Sequence, residues 1–244
     1  GTCILRPPYC HCLLYKSHAP DDTPSLDNSV ASINKKKKHL EGGVLAGGLG
    51  TRLGEISEST PKSLVEVGGK PMLFHILDWV ASQGCSRGLI LTGHLGDQFE
   101  NIEHQDIGLT FCRESSPLGT GGALWNARDL IEDRFVLLWG DDLHMIDYRE
   151  LMDTHLTSGC EMTMTVTRES PSFNLEYASG RVLRYDKDGV DPSGLNGYEA
   201  GTNIVEKSVL ERASASAFWG LGIRRARGGW GLCPSPCTPA RGQR

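Results

Sequence analysis

The sequence predicts an α/β domain with a doubly wound, mostly parallel sheet, formed by residues 41–213. Short apolar runs alternate with helical patterns along these residues, which is typical of parallel sheets covered by helices on both faces. Glycines follow several of the apolar runs, and sheets of this kind bind ligands where their strands end. The 244 residues, 39% of them hydrophobic, are enough for one sizeable domain.

The first half of the domain begins with an apolar run at residues 43–46, which glycines stop, and this pattern predicts a buried strand. Pro71 opens a helical pattern that Gly84 ends, and proline is tolerated in a first turn. The apolar positions of this helix are Leu73, Ile76, Leu77, Val80 and Ala81. Residues 89–92 and 109–112 predict two more strands.

The second half begins with a predicted helix over residues 122–130. Residues 135–139 are almost continuously apolar, which predicts the central strand of the sheet. The remaining predicted elements follow in order: a helix over 148–156, an alternating strand over 162–166, and two strands over 181–186 and 198–206.

The two ends of the chain differ from the domain in composition. Residues 1–40 hold Cys3, Cys10, Cys12 and four consecutive lysines, and we expect a disordered leader there. Residues 214–244 contain no acidic residue but many Arg, Gly and Pro, which indicates a disordered or frame-shifted tail. The isolated cysteines of the domain, Cys85, Cys112 and Cys160, are typical of buried thiols in a reducing cytosol, which predicts a cytoplasmic protein.

The formal charge of −5 argues against electrostatic binding to nucleic acids or to a membrane surface. The sequence also has no apolar run of the roughly 18 residues that a membrane-spanning helix needs. We therefore expect neither nucleic acid nor membrane as a partner.

A glycine-rich loop follows the first predicted strand, with the sequence Ala46-Gly47-Gly48-Leu49-Gly50-Thr51-Arg52-Leu53-Gly54. Glycines let backbone N–H groups approach phosphate oxygens, and an arginine adds a fixed positive fork. The loop lacks the third glycine of a dinucleotide fingerprint and the lysine of a P-loop, and a structural turn would explain it equally well. Lys62 after Pro61 supplies a second cation, which favours a polyphosphate pocket. Ser59-x-x-Lys62 also fits an acyl-transferring serine enzyme, but Pro61 opposes the helix that this pattern requires.

Two adjacent carboxylates, Asp141 and Asp142, follow the central strand directly after Gly140. Carboxylates at a strand end suit a hard divalent cation such as Mg²⁺, which would neutralise phosphate charge. Strand alternation directs the two side chains to opposite faces, and we expect Asp141 to face the ligand. The alternative, an aspartate that caps the next helix, fits Asp142 or Asp147 better.

A second glycine-rich segment, residues 117–123, opens a predicted helix. Its backbone groups could read the edge of a planar base and pack on its face. A plain loop before a helix would explain the segment equally well.

Together these motifs resemble the nucleotide-sugar pyrophosphorylases, which are sugar-1-phosphate nucleotidyltransferases. Residues 45–53, then Pro61-Lys62, then residues 68–73 are similar to the amino-terminal signature of that family in order and in spacing. The Leu-Gly-Thr-Gly-Gly-Ala form at residues 118–123 is most similar to the mannose-, heptose- and N-acetylmuramate-1-phosphate enzymes. The resemblance covers residues 42–212. It implies a Rossmann-like three-layer sandwich that is incomplete at its C-terminal side, because the chain becomes unlike the family after about residue 213. For the same reason the family's second metal-binding aspartate has no counterpart here.

The resemblance also implies roles for particular residues. The catalytic residues would be Arg52, Lys62 and Asp141, with Asp141 also binding Mg²⁺. The nucleotide would be bound by Leu45, Ala46, Gly47, Gly48, Gly50, Thr51, Gly119, Thr120 and Gly121. The sugar would be bound by Lys187, Glu199, Gly201 and Asn203, with Lys187 in place of the lysine of a Glu-Lys-Pro segment.

The implied activity joins a nucleoside triphosphate and a sugar 1-phosphate into a nucleotide-sugar and pyrophosphate, by guanylyl or uridylyl transfer. A homo-oligomer is compatible with the resemblance. A different class stays open at this point: a catalytically impaired, nucleotide-sugar-binding regulatory protein.

Overall fold

The computed structural model describes residues 10–14, 41–45, 59–186, 189–212, 225–226 and 229–230. The helices within these residues are α1 (Met72–Ser82), α2 (Gly119–Asn126), α3 (Tyr148–Ser158) and α4 (Ser208–Arg212). The strands are β1 (Cys10–Leu14), β2 (Glu41–Leu45), β3 (Glu66–Val67), β4 (Lys70–Pro71), β5 (Arg87–Thr92), β6 (Gly108–Arg113), β7 (Arg134–Trp139), β8 (Met162–Thr167), β9 (Leu175–Ala178), β10 (Arg181–Tyr185), β11 (Tyr198–Glu206), β12 (Arg225–Ala226) and β13 (Gly229–Trp230). No helix in this part of the chain has the length and apolar character needed to cross a membrane.

Seven strands form the main sheet in the order β1-β8-β11-β7-β2-β5-β6. The pairs β2–β5, β2–β7, β5–β6 and β1–β8 are parallel, whereas β11 runs antiparallel between β7 and β8. The predicted mixed, mostly parallel sheet is therefore confirmed, and β7 lies at its centre as the apolar run predicted.

Apolar side chains cover both faces of the sheet, which gives three layers. Leu89 and Leu91 of β5 belong to a core shared with α2 and the β9–β10 hairpin, whereas Ile90 belongs to a second core shared with α1 and α3. β7 divides its side chains between the same two cores. Because successive side chains of a strand point to opposite faces, a continuously apolar strand is the pattern of a sheet buried on both sides.

The structure describes a short strand or hairpin in each terminal segment: β1 pairs with β8, and β12 pairs with β13. The division of the chain into a leader, a domain and a tail stays a prediction. The structure differs from the sequence analysis in the placement of one predicted strand. The strand expected over 181–186 is β10, but it pairs with β9 outside the main sheet. Ser179 and Gly180 both have positive φ angles, and a two-residue turn of that kind closes a hairpin.

The strand ends that matter for function lie side by side at the carboxyl ends of the parallel strands, which we call the carboxyl edge of the sheet. Leu45, the last residue of β2, is in register with Leu91 of β5 and with Trp139 of β7. Thr92 in turn pairs with Arg113, the last residue of β6. The segments that follow β5, β6 and β7 therefore leave the sheet side by side, where ligands of this fold class bind.

Candidate functional site

Lys62 and Asp141 meet at this edge although 79 positions separate them in the sequence. Lys62 begins a short 3₁₀ turn, Lys62–Leu64, directly after Pro61. Its Nζ donates a hydrogen bond to Oδ2 of Asp141 over 3.1 Å, and the two side chains are 26% and 46% exposed. The structure thus brings together two of the three predicted catalytic residues. Both remain accessible to a ligand.

Asp141 leaves the central strand with its carboxylate in solvent, and Asp142 beside it is also exposed. Nε2 of His144 lies 3.4 Å from Oδ2 of Asp142. Among the described residues, no three His, Cys, Asp or Glu side chains form a cluster that could hold a metal by themselves. This donor set fits Mg²⁺, which proteins often bind through one or two carboxylates while substrate phosphates and water fill the other positions.

Asp147 caps the next helix, which was the alternative role for an aspartate after the central strand. Its carboxylate accepts hydrogen bonds from the backbone N–H groups of Arg149 at 2.7 Å and Glu150 at 3.4 Å. Asp147 is therefore the N-cap of α3.

The predicted base-binding segment forms the start of α2, which begins at Gly119, three residues earlier than expected. Gly119 has φ +69, a conformation that glycine adopts without strain. Thr120 and Gly121 continue the first turn, whose backbone N–H groups have no partner inside the helix. A side chain at Gly122 would lie 2.7 Å from Cβ of Leu118, so this position is packed closely.

Glu114 is a residue of this region that the sequence analysis did not select. It follows β6 directly and lines a cavity of about 560 Å³ between the ends of β5 and β6. Its Oε2 accepts a hydrogen bond from the Leu118 N–H at 3.2 Å, and burial raises the pKa of its carboxyl group. The lining of the cavity consists of Gly93, His94, Leu95, Arg113, Glu114, Ser115, Ser116 and Pro117. The sequence could have indicated Glu114, because this carboxylate lies between the end of a predicted strand and the glycine-rich segment.

The predicted sugar-binding residues lie on β11. Glu199 is buried, and its carboxylate accepts hydrogen bonds from Asn203 Nδ2 at 2.8 Å, Tyr185 Oη at 3.0 Å and Trp139 Nε1 at 3.3 Å. Gly201 has φ +93 and lies against the side chains of Trp139 and His144. The structure thus joins Glu199 and Asn203 directly, and Trp139, Tyr185 and His144 are neighbours that the sequence analysis did not identify.

The other predicted site residues lie outside the described residues, apart from Leu45, which ends β2. They are Ala46, Gly47, Gly48, Gly50, Thr51, Arg52 and Lys187. The roles assigned to the individual site residues all stay predictions.

Comparison with known proteins shows the family of the chain. The sequence model of the family described as nucleotidyl transferase matches residues 42–177, more than half of the 244-residue chain. The chain therefore belongs to the nucleotidyl transferase family.

Individual relatives carry more specific names. The chain is 34% identical over 186 residues to the mannose-1-phosphate guanylyltransferase catalytic subunit beta of Drosophila pseudoobscura pseudoobscura, an alignment that covers 69% of this chain and 48% of that one. It is 28% identical to the D-glycero-alpha-D-manno-heptose 1-phosphate guanylyltransferase of Aneurinibacillus thermoaerophilus, covering 72% of this chain and 79% of that one. The chain thus spans about half the length of the mannose-1-phosphate relative.

A solved structure shares the fold. HddC from Yersinia pseudotuberculosis complexed with GMP-PN superposes with a TM-score of 0.60 at 26% sequence identity. The match covers 71% of this chain and 80% of that one.

Proposed function

We propose that this chain is a sugar-1-phosphate nucleotidyltransferase, which joins a nucleoside triphosphate and a sugar 1-phosphate and releases pyrophosphate. The observation that carries this proposal is the meeting of Lys62 and Asp141 at the carboxyl edge of the sheet. A lysine and a metal-binding carboxylate beside a base-binding segment suit phosphoryl chemistry, in which catalysis is positioning and charge neutralisation. Family membership and the names of the relatives support the same reaction.

In this reaction a phosphate oxygen of the sugar 1-phosphate attacks the α-phosphorus in line, and the bond to the β-phosphate breaks. Lys62 stabilises the charge that grows on the α-phosphate, and Arg52 with the loop of residues 46–54 holds the leaving pyrophosphate. Asp141, together with the substrate phosphates, would hold Mg²⁺, and the cation would neutralise phosphate charge. No side chain is needed as a nucleophile.

The base that the site accepts is guanine in this proposal. Guanine presents two adjacent donors, N1–H and the N2 amino group, which an ionised carboxylate accepts together. Glu114 is such a carboxylate, in the wall of a cavity that continues into the base-binding segment. Both relatives described above are named as guanylyltransferases. Those names also select mannose 1-phosphate and heptose 1-phosphate as the first sugars to test.

Cytoplasmic location belongs to the same proposal. The isolated thiols Cys85, Cys112 and Cys160 support it, since Cys85 and Cys160 are buried as expected for proteins of a reducing compartment.

Pyrophosphate release tests the activity. Purified full chain, Mg²⁺, GTP and a panel of sugar 1-phosphates should yield pyrophosphate, and the variants Lys62→Ala and Asp141→Asn should each lower kcat by roughly 10²-fold, the scale of one preorganised charge contact. Asp153→Asn, at an exposed position of α3, is the matched control for the carboxylate. Lys207→Ala is the control for the lysine, because Lys207 follows β11 at the opposite edge of the sheet. Nucleotide binding without pyrophosphate release would instead support a regulatory binding protein.

Base choice is tested at Glu114. In Glu114→Gln the amide presents its own donors to guanine, so the preference of kcat/KM for GTP over UTP should fall about tenfold or more. The matched control is Glu103→Gln, an exposed glutamate outside the cavity.

The pH dependence of the KM for GTP gives a second readout for Glu114. In this proposal guanine binds the ionised carboxylate of Glu114, and burial raises the pKa of this group. As the pH falls, Glu114 therefore takes up a proton at a higher pH than an ordinary glutamate does. The KM for GTP should begin to rise at that higher pH. A GTP preference that is unchanged in Glu114→Gln would contradict the assignment of the base.

A further inference from the structure

Glu199 is a buried acid whose carboxylate is fixed by three donors from three parts of the chain. Asn203 lies on the same strand, Tyr185 ends β10, and Trp139 ends β7. Only 7% of Glu199 is exposed. Because burial of a polar group without partners is costly, these donors compensate for the burial of the carboxylate and hold it in one orientation.

Trp139 is the donor that connects this carboxylate to the candidate metal-binding segment, residues 140–142. It is the last residue of β7 and is followed directly by Gly140 and Asp141. Its indole Nε1–H reaches across to the neighbouring antiparallel strand and donates to Oε1 of Glu199 over 3.3 Å. One side chain therefore joins the strand that carries Asp141 to the predicted sugar-binding strand.

Gly201 provides a second contact between the same two segments. A Cβ atom built at Gly201 would lie 2.7 Å from Cε1 of His144 and 2.8 Å from Cδ1 of Trp139. Both aromatic rings thus pack directly on the glycine backbone, and they flank Asp141 in the sequence. With φ +93, Gly201 also has a conformation that other residues rarely adopt.

We infer that Trp139 is a positioning residue for the sugar 1-phosphate, acting through Glu199 and Gly201. It holds β11 in a fixed place relative to Asp141. The sugar can then contact β11 while its phosphate lies at Asp141. Trp139 makes no contact with the reacting atoms in this role. This inference rests on the proposed function, because it assigns β11 to the sugar.

Trp139→Phe is the informative variant, because it keeps an aromatic ring against Gly201 and removes the N–H donor. We expect the KM for the sugar 1-phosphate to rise about tenfold, as for a lost hydrogen bond to a charged group, and the KM for GTP to stay within about twofold. Trp79→Phe is the matched control. Trp79 Nε1 is buried without an acceptor among the described residues, so the same substitution there removes no described hydrogen bond.

The hydrogen bond itself can be observed without turnover. The chain has five tryptophans, so indole N–H signals in an isotope-labelled NMR spectrum form a small set, and Trp139→Phe identifies the signal of Trp139. Replacing Glu199 by Gln should shift this signal and leave the signal of Trp79 in place.

The possible outcomes separate the two proposals. If wild type is active but Trp139→Phe behaves like Trp79→Phe in both KM values, the positioning role is wrong and the proposed function stands. If Trp139→Phe raises the KM of both substrates equally, or if Glu199→Gln leaves the indole signal unmoved, the residue has only a structural role. If wild type releases no pyrophosphate with any sugar 1-phosphate, the proposed function fails and the positioning role fails with it.

Discussion

Lys62 forms an ion pair with the same carboxylate that is proposed to bind the metal ion. In the structure its ammonium group neutralises Asp141, whereas the proposed reaction needs this amine at the α-phosphate and a cation at Asp141. The amine and the cation therefore compete for Oδ2 of Asp141 as long as no nucleotide is present. Because both side chains are partly exposed, the ion pair is weak enough to exchange.

This competition predicts how a substitution at Lys62 affects cation binding. Lys62→Met removes the competing charge but keeps the aliphatic stem. The weak binding of Mn²⁺ to Asp141 of the nucleotide-free chain, where no substrate phosphate completes the site, should therefore become about two- to fivefold tighter, the range of an exposed ion pair. Calorimetric titration measures the affinity. Asp141→Asn should abolish the binding, and Lys207→Met should leave it unchanged. Equal or weaker binding in Lys62→Met would show that the ion pair does not compete with the cation.

Helix α3 follows the candidate metal-binding segment, and Asp147 determines where it begins. Its N-cap hydrogen bonds satisfy two backbone donors that have no partner inside the helix, and Gly159 ends the helix with φ +61. The buried residues Tyr148 and Leu151 then attach the helix to the sheet core. The cap thus stabilises the helix, and it lies six residues after Asp141 in the sequence.

Asp147→Ala should destabilise the fold by about 1 kcal/mol, the usual effect of losing an N-cap, and should lower Tm by about 2–4 °C in a chain of this size. Thermal unfolding monitored by circular dichroism measures it. Asp153→Ala on the same helix is the matched control, because Asp153 is exposed and the charge change is identical. A Tm loss of equal size in both variants would attribute the effect to charge and not to capping.

At the scale of elements, the alternating apolar runs were enough to predict β5, β7, β8 and α3, because burial on one or two faces leaves a periodic pattern. The β9–β10 hairpin was not predicted as such. Strand β9 has only four residues, and its Ser-Gly turn is a short-range signal that was not used. Strand β1 was not expected because its stability depends on pairing with β8, more than 150 positions away, and local sequence carries no record of such a pairing.

Part of the candidate site was expected from the sequence. The resemblance assigned Lys62 and Asp141 to one site, and the structure brings their side chains together, whereas their individual roles stay predictions. Glu114 and Trp139 were not predicted as site residues, because the roles proposed for them depend on which strands are neighbours. A tryptophan at the end of an apolar strand indicates only a core residue until β11 is placed beside β7.

At the scale of the whole molecule, a polar cluster around the buried His155 joins α3, β7, β8 and β11 at the end of the sheet opposite the candidate site. The imidazole of His155 is 1% exposed, with Nδ1 2.8 Å from Thr163 Oγ1 and Nε2 2.9 Å from Glu206 Oε1. Arg134 Nε donates to the same oxygen of Glu206. Burial lowers the pKa of His155, and the adjacent Glu206 opposes this effect only in part.

This cluster predicts a loss of stability in mild acid. In the unfolded chain His155 takes up a proton as the pH falls through the ordinary histidine pKa of about 6.5, whereas in the folded chain it stays neutral until a lower pH. The unfolded state then binds more protons, so the free energy of unfolding decreases as the pH falls through this interval. In His155→Gln, which keeps polar atoms but does not titrate, Tm should fall less between about pH 7.5 and 5.5 than in wild type. The exposed His94→Gln serves as control, and parallel Tm curves for His155→Gln and wild type would exclude His155 as the source of the acid sensitivity.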